Sequence, residues 1–347
     1  MQQKRLGGPP ALGEIDDHIH PSHYARGHRR CRRGRREPEI VCRACSCRRA
    51  PAGKQAPGFY RYKVGSYEVT VVTDGARSFP LPDTFVTNVK KDEVNAALEA
   101  AYLPRDTMTL VFNPIVVNTG SKLIAIDTGY GAAEAKPNTT HGQYQQNLAA
   151  AGIDAKAIDT VIISHYHPDH VNGLLGADDK PAFPNAEILV PAAEHKFWMD
   201  DGEMSRATPG RMQGLFKDNR RVMSGEILKR TATYEWGKEI APGITSVSTP
   251  GHTVGHTSYV IASGSARLFV FSDVTNRPEL FVRNPGWHAF FDQIPDMAET
   301  TRRKVLDMLI ADKMLVQTFH APFPALGHME KDGQSYRFVQ APWSPAL

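Results

Sequence analysis

Apolar and polar positions change rhythm along this chain, and the change of period marks its elements. Segments 59–64 and 67–72 are rich in β-branched and aromatic residues and are separated by Gly65-Ser66, which predicts a hairpin. A second hairpin is predicted from 111–118 and 122–126, joined through Gly120-Ser121 and ending at Asp127-Thr128-Gly129. Thr160-Val161-Ile162-Ile163 runs without polar alternation, as a strand buried on both faces does. Further strands are predicted at 186–190, 244–248, 257–261, 267–271 and 315–319, and helices at 143–151, 192–199 and 297–310. Strands in two groups with helices interspersed predict an α/β four-layer αββα sandwich, two packed sheets covered by helices on both outer faces.

Composition then divides the chain near residue 56. Residues 1–56 show almost no apolar periodicity and hold 13 of the 41 Lys and Arg residues against 5 of the 37 acids. The net charge of +4 therefore comes from this segment, and 57–347 is acidic overall. We read 1–56 as a disordered basic extension and 57–347 as one domain. All four cysteines (Cys31, Cys42, Cys45, Cys47) lie in the extension, so no disulfide holds the domain. Two sharper readings of the extension compete with disorder. One is a zinc knuckle on Cys42, Cys45 and Cys47 with Cys31 or a histidine; the other is a nucleic-acid-binding arm on Arg29–Arg36. The extension lacks the apolar stretch of a secretory signal, which places the chain as written in the cytoplasm; a different N-terminus would allow the periplasm. No apolar run is long enough to span a membrane.

The chemistry concentrates in Ser164-His165-Tyr166-His167-Pro168-Asp169-His170, directly after the buried strand. In extended chain His165 and His167 point the same way and reach one metal ion. Pro168 turns the chain, so Asp169 and His170 face a neighbouring point: four ligands in six residues, split two and two, suit two adjacent cations. His252 in a Gly/Pro turn, Asp273 after the strand at 267–271 and His320 after the strand at 315–319 each stand at a strand end, where a sheet fixes the side chain and a loop gives access. A lone histidine is usually a hydrogen-bonded structural residue, but seven ligand-type residues at strand ends are not explained that way.

The spaced histidines, aspartate and histidine of 165–170 resemble the motif of the metallo-β-lactamase-fold superfamily. The resemblance implies that His165, His167 and His252 hold one metal, that Asp169, His170 and His320 hold a second, that Asp273 bridges both, and that Asp127 supports them from behind. Phe183-Pro184-Asn185-Ala186, Phe197-Trp198, the stretch Gly251 to Thr257, His320-x-x-Phe323-Pro324 and Tyr336-Arg337-Phe338-Val339 are similar to the methyl parathion hydrolase subgroup, dizinc enzymes with dimeric members. A homodimer acting on a small molecule, without a nucleic acid or membrane partner, is therefore expected.

The implied activity is a hydrolase with two zinc ions per chain, other divalent transition metals being admissible. A metal-bridging hydroxide would cleave an ester-like bond (phosphotriester, lactone or aryl ester) in an uncharged, fairly apolar substrate, with Asp169 or Asp273 handling the proton. Two alternatives are hydrolytic dehalogenation of a chlorinated aromatic at the same site, and nucleic-acid binding through the Arg-rich segment. Asp273 argues against antibiotic hydrolysis, because penicillin-cleaving relatives lack a bridging aspartate. Trp198, Phe216, Trp287 and Phe323 are the expected substrate-binding rings; for Phe197, Phe290 and Phe291 core packing is an equal alternative. The segment 276–288 is expected to form one pocket wall. His256 is read as a supporting residue, and His288 and His328 as extra histidines near the site.

Overall fold

The computed structural model describes residues 53, 55–136 and 139–347. The expectations for 1–52 and 54, the zinc knuckle, the nucleic-acid arm and the disordered extension, lie outside the described residues.

The chain opens with the hairpin β1 (Phe59–Val64) and β2 (Tyr67–Val72). It leaves for a two-stranded ribbon of β3 (Gly75–Pro80) and β4 (Thr107–Phe112), and returns with β5 (Ile115–Asn118) and β6 (Leu123–Ile126). β7 (Thr160–Ile162), β8 (Glu187–Pro191) and β9 (Thr231–Tyr234) complete a seven-stranded sheet in the order β1-β2-β5-β6-β7-β8-β9. A second seven-stranded sheet takes its strands in sequence order: β10 (Glu239–Ala241), β11 (Ile244–Ser248), β12 (Thr257–Ser263), β13 (Ala266–Ser272), β14 (Leu315–Thr318), β15 (Leu326–Asp332) and β16 (Ser335–Gln340). The helices are α1 (Lys91–Ala100), α2 (Tyr144–Ala150), α3 (Pro168–Val171), α4 (Ala192–Met199), α5 (Asp201–Arg206), α6 (Arg211–Val222), α7 (Gly225–Lys229) and α8 (Pro295–Ala311). None of the described helices is long and apolar enough to cross a membrane.

Side-chain alternation explains the four layers. Val117, Ile124, Ile126 and Ile162 of the first sheet meet Ile244, Tyr259, Ile261, Leu268 and Val270 of the second in the central core. Their neighbours Val116, Ala125 and Val161 face the other way, onto Tyr144 and Leu148 of α2, Trp198 of α4 and Phe216 of α6. On the far side, Phe269, Phe271 and Val316 pack against Val305, Leu306 and Leu309 of α8. The α/β four-layer αββα sandwich read from the pattern is thus the fold.

The predicted strand at 111–118 is two strands in different places. Asn113-Pro114 breaks it, since Pro cannot donate to a ladder, and β4 pairs with β3 rather than with β6. The insert from β3 to β4, with α1, carries a fourth cluster (Leu81, Phe85, Val94, Leu98, Met108) closed by Leu280 and Phe281. Most of the expected wall at 276–288 belongs there: Pro278–Val282 is a buried helical turn, and of that segment only Asn276 borders the cavity described below.

Candidate metal centre

The candidate ligands come from strand ends, most of them at the C-terminal ends of the parallel pairs β6–β7 and β13–β14. β6 and β7 pair in parallel with Ile126 opposite Ile162, which sets Asp127 beside Ser164. β13 and β14 pair in parallel with Ser272 opposite Thr318, which brings Asp273 and His320 to one edge. His165 and His167 follow β7, Asp169 and His170 ride on the single turn of α3, and His252 sits in the turn between β11 and β12.

These side chains converge. Ligand atoms of His165, His167 and His252 lie within 4.8 Å of one another, and so do those of Asp169, His170 and His320. His165, His170 and Asp273 form a third group of the same kind, lying across the other two. Asp273 Oδ2 stands 3.3 Å from His252 Nε2 and 3.1 Å from His320 Nε2, while its Oδ1 is 3.2 Å from His170 Nε2. The five histidines and Asp273 are buried, and Asp169 is partly so.

Tautomers inferred from the hydrogen bonds test whether these residues fit a metal. His165 Nδ1 donates to Ser164 Oγ (3.1 Å), which itself donates to Asp127 Oδ2. His170 Nδ1 donates to Asp127 Oδ2 (2.8 Å), His252 Nδ1 to Asp292 Oδ1 (2.8 Å), and His320 Nδ1 to the Val111 carbonyl (2.8 Å). Each of these four rings therefore turns an Nε2 lone pair inward. His165 Nε2 and His252 Nε2 lie 3.2 and 2.8 Å from His167 Nδ1, so three ring nitrogens crowd one point where a single proton on His167 Nδ1 would have to serve both neighbours and would leave His167 Nε2 buried without a partner. His170 Nε2 and Asp273 Oδ1 are buried without a hydrogen-bond partner. A metal ion in each set resolves all of these contacts, so the residues fit one.

The electrostatics agree. Burial pushes the His165 and His167 imidazoles well below their ordinary pKa, keeping them neutral as ligands must be. At His170 burial acts the same way, but the carboxylates of Asp273, Asp169 and Asp127 outweigh it and raise the pKa well above the usual value. Burial would raise the Asp273 carboxyl; His320 and His170 beside it hold it well below the usual range instead. A field that holds a proton on His170 is one that holds a cation.

Supporting residues explain the placement. Asp127 adopts a left-handed conformation (φ 61°) that Asp tolerates, and also accepts from Ser164 N (2.8 Å). His256 receives the Asp273 backbone N–H on Nε2 (2.9 Å). Three supports escaped sequence reading. Buried Glu194 accepts from Tyr166 N (3.0 Å), Trp198 Nε1 (2.7 Å), Thr253 Oγ1 (2.8 Å) and Gly255 N (2.8 Å), tying the 165–167 loop to the His252 turn. A Cβ on Gly255 would collide with the Glu194 backbone, so only glycine permits this approach. Asp292 orients His252 and is itself held by buried Arg302 (3.4 Å). Asp74 accepts from the backbone N–H groups of Tyr130, Gly142 and Tyr144 at 2.9–3.1 Å; burial nevertheless pushes its pKa up to about 6. Glu194 opens the polar run Glu194-His195-Lys196 of α4, so its burial leaves no signal in the sequence.

A cavity of about 430 Å³ opens above the two sets, bordered by His167, Asp169, His252 and Asp273 and walled by Phe79, Leu110, Leu215, Phe290 and Phe291. The four rings expected there lie elsewhere. Trp198 is fully buried with its indole N–H donated to Glu194, and Phe216 meets it at a tilt with ring centres 4.8 Å apart in the helix-side core. Trp287 packs into the cluster under the insert, and Phe323 is exposed off the cavity. Phe290 and Phe291 supply the aromatic wall instead. His288 pairs with Glu299 (3.0 Å) and His328 with the Met314 carbonyl (3.1 Å), both away from the ligand sets.

Comparison with known proteins follows the same lines. Residues 112–317 match the family described as Metallo-beta-lactamase superfamily. An N-acyl homoserine lactonase from Bacillus sp is 25% identical over 211 residues, 58% of this chain and 74% of the lactonase. A probable metallo-hydrolase of Mycobacterium tuberculosis, 23% identical, and a hydroxyacylglutathione hydrolase of Cupriavidus taiwanensis, 30% identical, align over 54% and 51% of their own length. Among solved structures, the dizinc quorum-quenching lactonase AidC is 27% identical with a TM-score of 0.76, covering 83% of this chain and 98% of AidC. The hydrolase AbOPH is 26% identical with a TM-score of 0.77, covering 84% of this chain and all of AbOPH.

Proposed function

The chain belongs to the metallo-β-lactamase superfamily of hydrolases, and on that premise we propose that it is a dinuclear zinc hydrolase of ester-like bonds, with lactones as the leading substrate class ahead of phosphotriesters and aryl esters. The observation that carries the reading is the meeting of two ligand sets at Asp273 on the floor of one cavity. His165, His167 and His252 would hold one cation and Asp169, His170 and His320 the other, with Asp273 placed beside both sets. Imidazole-rich sets of this kind favour zinc. Divalent cations so held supply Lewis acidity toward a substrate oxygen and make water acidic enough to yield hydroxide near neutral pH. Asp169 borders the cavity and is the less buried of the two acids, so it takes the proton released in the attack and returns it to the leaving alkoxide. Asp273, held at its backbone by His256, keeps the two sets in register. The cavity has the size of a small-molecule site, and its aromatic and aliphatic wall suits an acyl chain. The likeness to two lactonases, each over most of its length, favours lactones.

The test is a panel of one N-acyl homoserine lactone, one aryl phosphotriester, one aryl ester and one chlorinated aromatic, assayed before and after chelation. Lactone opening that disappears with the metal and returns with zinc is expected. Turnover that survives complete metal removal, or chloride release without ester hydrolysis, contradicts the proposal.

A further inference from the structure

The cavity floor is committed to the ligand sets, but two charged side chains on its wall have no ionic partner. Arg77 of β3 and Arg211, the first residue of α6, both border the cavity. Neither has a carboxylate within 4.0 Å among the described residues. Each guanidinium lies over a ring of the same wall instead: Arg77 is 5.9 Å from the centre of the Tyr130 ring, and Arg211 is 5.5 Å from that of Phe290. A cation over a ring face is held there electrostatically, and Arg77 also has the Tyr130 hydroxyl within hydrogen-bonding reach; neither guanidinium has its N–H donors taken up by a carboxylate. Asp169 and Asp273, the only carboxylates bordering the cavity among the described residues, both belong to ligand sets. Once they are committed to cations, Asp292 is the remaining acid whose charge reaches Arg211, and it is itself bound to His252 and Arg302, so both arginines keep charge to offer a ligand in the cavity.

From this we infer that the substrate is anionic at one end: its ester-like group sits over the ligand sets, an apolar segment lies along Leu110, Leu215 and Phe291, and a carboxylate is held by Arg77 and Arg211. This rests on the hydrolase reading above and replaces the uncharged substrate expected from the sequence. Tyr130 and Phe290 hold the two guanidinium groups at the cavity wall. Because both arginines are exposed at the mouth, salt screens them in part, and their combined effect on KM is about tenfold.

The experiment uses the zinc-loaded full chain and two matched substrate pairs. One pair is N-hexanoyl-L-homoserine lactone and its analogue whose acyl chain ends in a carboxylate. The other is 4-nitrophenyl butyrate and mono-4-nitrophenyl succinate. The acid of each pair is expected to show a KM about tenfold lower than its neutral partner, with the advantage shrinking at high salt. Arg77→Gln combined with Arg211→Gln is expected to raise KM for the acids about tenfold more than for the neutral partners. Equal or better KM for the neutral substrates, or variants that shift both alike, overturns the inference. Calorimetry with adipate and hexanoate separates this result from failure of the hydrolase reading, since each offers one carboxylate to the ligand sets and only adipate has a second. If no ester is turned over, the hydrolase reading falls, whereas tighter binding of adipate that is lost in the arginine variants still supports the anion site. Adipate binding no tighter than hexanoate overturns it.

Discussion

The two halves of the sandwich supply the metal floor in opposite ways. The first sheet delivers His165, His167, Asp169 and His170 from one loop, braced locally by Asp127 at the end of the neighbouring strand. The second sheet contributes His252, Asp273 and His320 from three strand ends far apart in sequence, and each needs a partner from elsewhere. Asp292 and Arg302 hold His252, and the Val111 carbonyl holds His320. Asn113 ties the His320 loop through the carbonyls of Phe319 (2.9 Å) and Ala321 (3.0 Å). Glu194 links the halves. A compact loop fixes its ligands by short-range geometry, whereas a dispersed set depends on buried polar ties, and those ties are where the site is vulnerable.

The sharpest break of this comparison removes one ligand from each half. His165→Ala and His252→Ala are each expected to lower kcat/KM by about 10³, roughly 4 kcal/mol of transition-state stabilisation, with metal content falling below that of the parent. Steady-state kinetics with metal analysis checks this; a His252→Ala protein within tenfold of the parent contradicts it. Next comes the link. Glu194→Ala leaves four buried donors without an acceptor, and should cost about 3 kcal/mol of stability or more and 10- to 100-fold in zinc affinity. Denaturation of the chelated protein reads the first and competition with a zinc chelator the second; stability lost with affinity unchanged would reduce Glu194 to a packing role.

The smallest effect concerns Asp74, which anchors the Tyr130 loop of the first half. Its folded pKa of about 6 lies above the ordinary 3.8, so the folded state keeps the proton that the unfolded chain releases first. Stability from this group is full below about pH 4 and falls as pH rises through about 6, by about 3 kcal/mol at most. Asp74→Asn should flatten that slope in chelated protein, measured by denaturation between those limits; an unchanged slope places the titration elsewhere.

The halves also differ in how well the sequence announced them. His165 to His170 could be read outright because the ligands are adjacent and follow a run that must be a buried strand. His252, Asp273 and His320 were found because each follows a recognisable strand. The substrate wall was not legible. A tryptophan in an amphipathic helix gives the same pattern whether it faces a pocket or, like Trp198, a buried carboxylate, and only the fold shows Glu194 beneath it. The ribbon β3–β4 and α1 were also missed, since their apolar positions serve a side cluster rather than the two sheets, and with them Arg77 went unnoticed.

The account stands on two cations sharing Asp273, and anomalous diffraction from zinc-loaded crystals tests that most directly. Two peaks roughly 3.5–4 Å apart are predicted, one among His165, His167 and His252 and the other among Asp169, His170 and His320, with the Asp273 carboxylate reaching both. A single peak, or two that leave Asp273 uncoordinated, would contradict it.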